Sequence, residues 1–498
     1  MSATAPIAAP TRTVAPVSAL RRIFSFPVML AGLLAMLAVL TVRARFDDPD
    51  MWWHLKMGQV IWTTHTIPIT DLFSYTTSHH ASIPHEWLTE TLIFAAYKAG
   101  AYPGLMLWLC FFTAALLIAG YAFCSVYSGN PKVAFIGALT IWFFGTVGFA
   151  IRPHMIGYLL LIAELALLHL GQTRDRRWFY ALPPLFAIWV NCHGSFFFGI
   201  CLAAAILLNS WFNFDAGLLI ANRWDSRTRQ TLIVALLLSI AALFLNPVGA
   251  NLVVYPLKTL LDPGMGFSPV SEWQPLQFTD GRSLAFLASL MCVFLLVIIR
   301  RTALRWQEFV ILALGAWFAA THQRMLFVFG ILLAPILSRL LSTAWDSYNS
   351  EQDRPWPNGI FLAVSLLIAF LAFPSRQNLA AQVEEFSPVK AVEYIQARHL
   401  TGPMLNEWTD GGYLIWAMPE HPVFIDGRGD IFEWSGVLED FGKWALLQTN
   451  PNTLLDKYGI SFCLLSRTSP MAIVLPLLPG WKTIYSDKIS VIVARSAP

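Results

Sequence analysis

The stretch Phe46–His54, "FDDPDMWWH", stands directly behind the apolar run "FPVMLAGLLAMLAVLTV" at 26–42. At about 1.5 Å of rise per helical residue, such a run covers most of the roughly 30 Å of a bilayer's hydrocarbon core. Three carboxylates, a proline, two indoles and an imidazole therefore gather where the chain leaves the membrane. Arg21 and Arg22 precede the run like the n-region of a signal peptide, but "TVRARF" after it lacks the small residues of a cleavage site. The run reads as a retained anchor.

The rest of the chain follows the same pattern. Of 498 residues, 56% are apolar and 13% charged, far from the balance of a soluble domain, so the composition is that of a polytopic membrane protein. Eleven runs have a length suited to crossing: 24–42, 102–126, 132–151, 156–171, 178–192, 195–212, 230–246, 283–299, 304–320, 325–342 and 359–373. The six cysteines form no CxxC pair, and five of them lie in apolar runs, which argues against a disulfide framework or a zinc site built on thiolates. A net charge of +3 says little about partners, but its placement is informative. With the N-terminus inside, Lys132, "TRDRR" (173–177), Arg223, Arg227, Arg229, Arg300, Arg301 and Arg305 all fall on cytoplasmic connectors. An odd number of spans then places 374–498 outside, where short apolar strands such as "PVFID" (422–426) and "SFCLLS" (461–466) alternate with helical stretches, the pattern of a small α/β domain. The expected organisation is a disordered cytoplasmic tail (1–22), a transmembrane domain (23–373) with a long first outer loop (43–101), and the extracytoplasmic domain.

On this orientation nearly every unusual polar cluster lands on one face. They are "FDDPDMWWH", "PHEWLTE" (84–90), "RPHM" (152–155), "NCHGS" (191–195), "SEW" (271–273) and "THQR" (321–324). Each has a plain structural reading. Asp47, Asp48 and Asp50 suit a helix N-terminus, Trp52 and Trp53 an interfacial aromatic belt, and His85 and Glu86 the start of the amphipathic stretch "EWLTETLIFAAYKAG". Arg152 and Arg324 suit span ends, and Glu164 a bundle-facing polar position. Their convergence on one face is what independent placements do not produce, and it points to a single outward-facing site.

This layout resembles the GT-C superfamily of polyprenyl-phosphate-dependent glycosyltransferases, in particular the bacterial protein O-mannosyltransferase-like and aminoarabinose-transferase-like branch. Those enzymes carry an acidic motif just after the first span and a proline-containing segment where the next helix begins. Here "DPDMWWHLKMGQVIWTTHTIPITDLFSYT" and "IPHEWLTETLIF" hold those places. The resemblance extends through about residue 340, and it departs from the family in reading Asp-Pro-Asp-Met where Asp-Glu or Asp-Asp is usual. It implies a helical polytopic fold with about 11 transmembrane helices, set in the bacterial cytoplasmic membrane. It also implies an inverting transferase that uses a lipid-phosphate sugar donor, with Asp50, or second Asp48, as general base. The tail segment "NEWTDGGYLIWAMPEHPVFIDGR" resembles one found in bacterial relatives of unknown substrate.

The residue types suit that chemistry. A sugar leaving a lipid phosphate is attacked by a hydroxyl that needs a carboxylate to take its proton, and the departing phosphate needs cationic donors. The candidate site is therefore Asp50 and Asp48 for catalysis, with Trp53, His54, His85, Glu86, Arg152, His154, His193, Glu272, His322 and Arg324 around the substrates. The same acids, Asp48 and Asp50, are compatible with a divalent cation. Other classes remain open: a transporter, although Glu164 is the one mid-span acid; a metal-dependent hydrolase using Asp50, His54, His85 and Glu86, although "HEWLTE" is not HExxH; and a non-catalytic scaffold. "FIDGRGDIF" (424–432) is either an acceptor-binding turn or simply a turn. No P-loop, dinucleotide fingerprint or basic-aromatic pattern is present, which argues against soluble nucleotides and nucleic acid as partners.

Overall fold

The computed structural model describes residues 19–78, 80–261 and 271–496, so the expected N-terminal tail lies outside the described residues as far as residue 18. The short helix α1 (Ala19–Ile23) leads into α2 (Phe26–Val42), the first apolar run. Helix α3 (Met51–Thr64) starts immediately after Asp50 and ends on His65 in the left-handed region. Helix α4 (Trp87–Ser128) is really two helices, because Ala101 adopts φ 50° and ψ −134° and Pro103 follows it. A proline there cannot donate to the helical ladder, so the outer stretch and the span meet at a kink.

The bundle continues with α5 (Pro131–Gly145), α6 (His154–Thr173), α7 (Leu182–Cys192), α8 (Phe196–Asn209), α9 (Ser226–Ala242) and α10 (Ala250–Leu261). It closes with α11 (Gly281–Arg300), α12 (Trp306–Thr321), α13 (Leu326–Ser342) and α14 (Pro355–Ala372). Starts are set locally: Asn130 accepts from Lys132 N with Pro131 in the first turn, and the Asp280 carboxylate accepts from the N–H groups of Arg282 and Ser283. Each of the eleven apolar runs coincides with a helix. The expectation of about eleven spans is nonetheless corrected. Among the described residues five helical segments are long and apolar enough to cross: Trp87–Ser128, His154–Thr173, Gly281–Arg300, Gln323–Ser342 and Pro355–Ala372. Phe26–Val42, Pro131–Gly145, Phe196–Asn209 and Trp306–Thr321 are apolar but shorter. The reason is that a run counted in sequence includes the loop residues at its ends; α7 has 11 helical residues, about 16 Å.

The two ends of the bundle separate by chemistry. The Arg-rich connectors meet one another: Arg305 lies over the Tyr127 ring, Gln307 donates to Gln172, and Arg300 donates to the Thr343 carbonyl. A small sheet, β1 (Phe214–Asp215), β2 (Leu219–Ala221) and β3 (Leu304–Arg305), joins two of these connectors.

Residues beyond α14 form the expected α/β unit. Its sheet has strand order β4 (Met404–Asn406), β5 (Phe462–Ser466), β7 (Ser490–Arg495), β6 (Trp481–Ser486), with β4 and β5 parallel and the rest antiparallel. Its own core includes Phe424, Phe432, Trp444 and Cys463. This unit is tied to the first outer loop: Val423 N donates to Phe73 O, Tyr75 N to Val423 O, and the Thr76 hydroxyl to Phe424 O. The tail therefore sits on the same end of the bundle as "FDDPDMWWH".

Candidate functional site

The site is organised by one guanidinium. Arg152, in the turn between α5 and α6, donates from Nε to Asp48 Oδ2 at 2.6 Å and from Nη2 to Asp48 Oδ1 at 2.8 Å. Its Nη1 lies 3.0 Å from Asp50 Oδ2 and 3.4 Å from Glu272 Oε1. The "DPD" sequence makes this possible, because the turn at Pro49 sets the two carboxylates side by side and Asp50 N donates to Asp48 Oδ1 at 3.0 Å. Arg152 is half-buried, and although burial opposes it, Asp48 and Asp50 hold its proton more firmly than usual.

The two aspartates are not equivalent. The Asp48 side chain is 6% exposed and both its oxygens are occupied, whereas Asp50 is 19% exposed and gives one oxygen to Arg152. Burial pushes the Asp50 carboxyl up to about 6; Arg152 opposes this, and Asp48 and Glu272 add to it. A cleft of about 910 Å³ opens on the Asp48 side of the pair and is lined by Asp48, Arg152, His154, Tyr158, Glu272 and Arg324 among others; Asp50 reaches it through Arg152. Arg324 reaches Glu272 Oε2 at 3.5 Å and stacks over the Trp273 ring. His154 Nε2 is 2.6 Å from the Gly148 carbonyl, which leaves Nδ1 without a hydrogen-bond partner.

Behind Asp50 lies a second polar group. His54 Nδ1 is 3.1 Å from Glu90 Oε1 and 3.8 Å from Glu86 Oε2. Glu86 Oε1 also faces His193 Nε2 at 3.4 Å and His85 Nε2 at 3.7 Å. Burial, foremost, raises the Glu86 carboxyl above its ordinary range and pushes the His54 and His193 imidazoles well below theirs, so both histidines are neutral at pH 7. His54, Glu86 and Glu90 have the donor types and mutual spacing to hold a divalent cation.

The C-terminal unit closes the site. A Cβ on Gly427 would lie 1.9 Å from Asp50 Oδ1, so only glycine lets this backbone pass the carboxylate. Next to it, buried Arg428 grips Asp426 with Nε and Nη2 and reaches Asp71 of the first outer loop with Nη1 at 2.6 Å. Arg428, foremost among the groups that counter burial, holds the Asp71 carboxyl below its usual range. Asp430 accepts from the Tyr255 hydroxyl at 2.6 Å, and the Tyr255 ring lies 4.9 Å from that of His85.

Of the residues singled out in sequence, Asp48, Asp50, Arg152, Glu272 and Arg324 form one connected ion network, with His154 on the same cleft. His54, His85, Glu86 and His193 form the second. Trp53 stacks on His54 at 3.6 Å between ring centroids. His322 is not drawn in: its Nδ1 meets Thr321 Oγ1 at 2.9 Å and its ring packs edge-on against Trp273. Trp52 is 1% exposed and packs on Tyr102 and Tyr413, so it offers no face to a sugar or prenyl chain. Sequence reasoning missed Glu90, Asp71 and Tyr255. Glu90 had a usable signal, since it follows Glu86 by one helical turn; the other two act through contacts made far along the chain.

No protein-family model matches the chain, and no curated protein matches it. Solved structures do share its fold. The oligosaccharyltransferase of Archaeoglobus fulgidus in its apo form superposes with a TM-score of 0.55 at 12% identity, over 89% of this chain and 70% of that one. The same enzyme in complex with zinc and sulfate gives 0.50 at 12% identity, over 87% and 68%. ArnT from Cupriavidus metallidurans bound to undecaprenyl phosphate gives 0.52 at 12% identity, over 94% of this chain and 98% of that one. The chain thus shares its overall fold, a polytopic helical bundle followed here by a C-terminal sheet unit, with these solved structures.

Proposed function

We propose that this protein is an inverting GT-C-type membrane glycosyltransferase that moves a sugar from a polyprenyl-phosphate donor to an extracytoplasmic acceptor: a cell-envelope glycan, a lipid or a protein. The carrying observation is the Asp48–Asp50 pair sharing half-buried Arg152 beside a cleft, in a fold shared with ArnT solved with undecaprenyl phosphate. Asp50 is the base. It is the more accessible carboxylate of the pair, and a value near 6 keeps it ionised at neutral pH while leaving it basic enough to accept a proton. As the acceptor oxygen bonds to the anomeric carbon, the bond from that carbon to the phosphate oxygen breaks and the acceptor proton passes to Asp50. Arg324 faces the cleft where charge grows on the departing phosphate and can exchange its loose contact with Glu272 for it, while His154, whose N–H is committed to the Gly148 carbonyl, shapes the cleft wall. Arg152 fixes both carboxylates in place.

The chain lies in the bacterial cytoplasmic membrane with its N-terminus inside and residues 374–498 outside, an orientation supported by the Arg-rich end of the bundle opposite the site. The test is turnover of a lipid-linked sugar by the purified protein, with release of polyprenyl phosphate followed directly. A panel of polyprenyl-phosphate sugars that yields neither transfer nor binding would remove the reading. A reporter active only in the cytoplasm, fused after Pro498, stays silent if the orientation holds.

A further inference from the structure

Helix α3 and the outer half of α4 approach so closely that a Cβ on Gly58 would stand 2.1 Å from the Glu90 carbonyl oxygen. Gly58 lies one turn beyond His54, and Glu90 one turn beyond Glu86, so the crossing sets His54-x3-Gly58 against Glu86-x3-Glu90. His54 Nδ1 and one oxygen from each glutamate fall within 4.8 Å of one another. The 3.1 Å and 3.8 Å separations from His54 bracket the roughly 3.3 Å between donors around a tetrahedral ion with bonds of about 2.0 Å.

Glu86 supplies an independent indication. Its carboxylate is 11% exposed and faces the nitrogens of His54, His85 and His193 at 3.4–3.8 Å, each beyond normal hydrogen-bond length. His85 Nδ1 meets the Ile83 carbonyl at 3.0 Å, which fixes the ring with Nε2 turned toward Glu86. The Glu86 carboxylate is thus ringed by three imidazoles that all stand off from it, leaving room for an ion between. On His193, Nδ1 accepts from Ser195 N, so its Nε2–H is aimed at Glu86 Oε1, as an outer partner orients a ligating carboxylate. Two carboxylates and an imidazole also give a divalent ion three donors of matching type in a buried place.

We infer that His54, Glu86 and Glu90 bind one divalent transition-metal ion, with zinc the best match to one imidazole and two carboxylates, and that this ion ties α3 to α4. The site shares no ligand with the Asp48–Asp50 pair, where Arg152 already supplies the positive charge. The ion is structural: it fixes the start of α3, and with it Trp53 and Asp50.

The experiment is elemental analysis of the full-length protein purified in detergent, followed by zinc titration of chelator-treated protein with Tm as the readout. About one ion per chain is expected, together with a zinc-dependent rise in Tm. His54→Ala and Glu90→Gln should lose both, Asp48→Asn should keep both, and His193→Ala should bind roughly 10–100-fold more weakly. Where a ligand variant fails to fold, the wild-type titration decides alone. Wild-type protein that carries no ion and gains no Tm from zinc overturns the inference, as does a His54→Ala variant that keeps a full equivalent. Neither readout needs a sugar donor, so the metal site and the transferase reading stand or fall separately.

Discussion

Each end of the bundle carries a half-buried arginine clasped by a carboxylate, and the two are built to different purposes. At the Arg-rich end, Arg339 holds Glu308 through Nε at 2.6 Å and Nη2 at 2.5 Å, while the Tyr127 hydroxyl and Arg305 N complete the carboxylate's partners. The cavity beside it is about 40 Å³, little more than room for a water. At the other end Arg152 faces Asp48, Asp50 and Glu272 together, and the cleft beside it is about 910 Å³. One network is closed and neutral, holding α12 to α13. The other gathers three acids around Arg152 and Arg324 next to open volume; burial, foremost, raises Asp50, the surplus acid of Asp48 and Glu272 adds to it, and together they leave a group able to accept a proton. An ion pair by itself does not mark a site; the unmatched charge and the space do.

The largest effect is expected at Asp50. Asp50→Asn keeps the size and removes the proton acceptor, so transfer should fall by about two to four orders of magnitude while the protein stays folded. Asp47→Asn should be far milder, and Asp48→Asn should also impair transfer because it loosens Arg152. A transfer assay on the three variants at matched expression reads this, and undiminished turnover by Asp50→Asn eliminates it as base.

Removing one partner from the closed network should cost stability instead. Arg339→Ala leaves the buried Glu308 unpaired, a loss of roughly 3–5 kcal/mol, with normal transfer per folded molecule. Thermal unfolding in detergent and active-site titration separate the two effects.

The pH dependence sharpens the contrast further. Asp50 must be ionised to act, so transfer should decline as pH drops through about 6, a limb absent from the residual activity of Asp50→Asn. The sign for stability is opposite. The carboxyl lies above its ordinary 3.8 when folded, so the folded state holds the proton longer, and stability should be lost as pH rises from about 4 to 6, on the order of 3 kcal/mol. Unfolding curves of wild type and Asp50→Asn across that window should diverge accordingly.

The smallest effect expected is on donor affinity. Arg324→Ala should weaken binding of a polyprenyl-phosphate sugar by roughly 1.5–3 kcal/mol, and Arg43→Ala by much less. Equal, slight changes in both would remove Arg324 from phosphate recognition.

Much of this was written in the chain. The apolar runs located the helices because in lipid a segment must satisfy its own backbone, and hydropathy reports that directly. The Arg-rich connectors separated the two ends, and the clusters at 46–54, 84–90 and 152–155 announced a shared face. Sequence could not say which helices are long enough to cross, since runs such as 178–192 open on a 3-10 segment that counts as apolar residues but breaks the α-helix short. Nor could it distinguish Asp48 from Asp50. That difference depends on which carboxylate Arg152 saturates, a contact across about a hundred residues, and on the C-terminal backbone at Gly427 passing against Asp50. Local pattern fixes what each segment is; burial, charge balance and open space at a site arise only when distant segments are brought together, and here those three properties separate the group that reacts from the group that holds it.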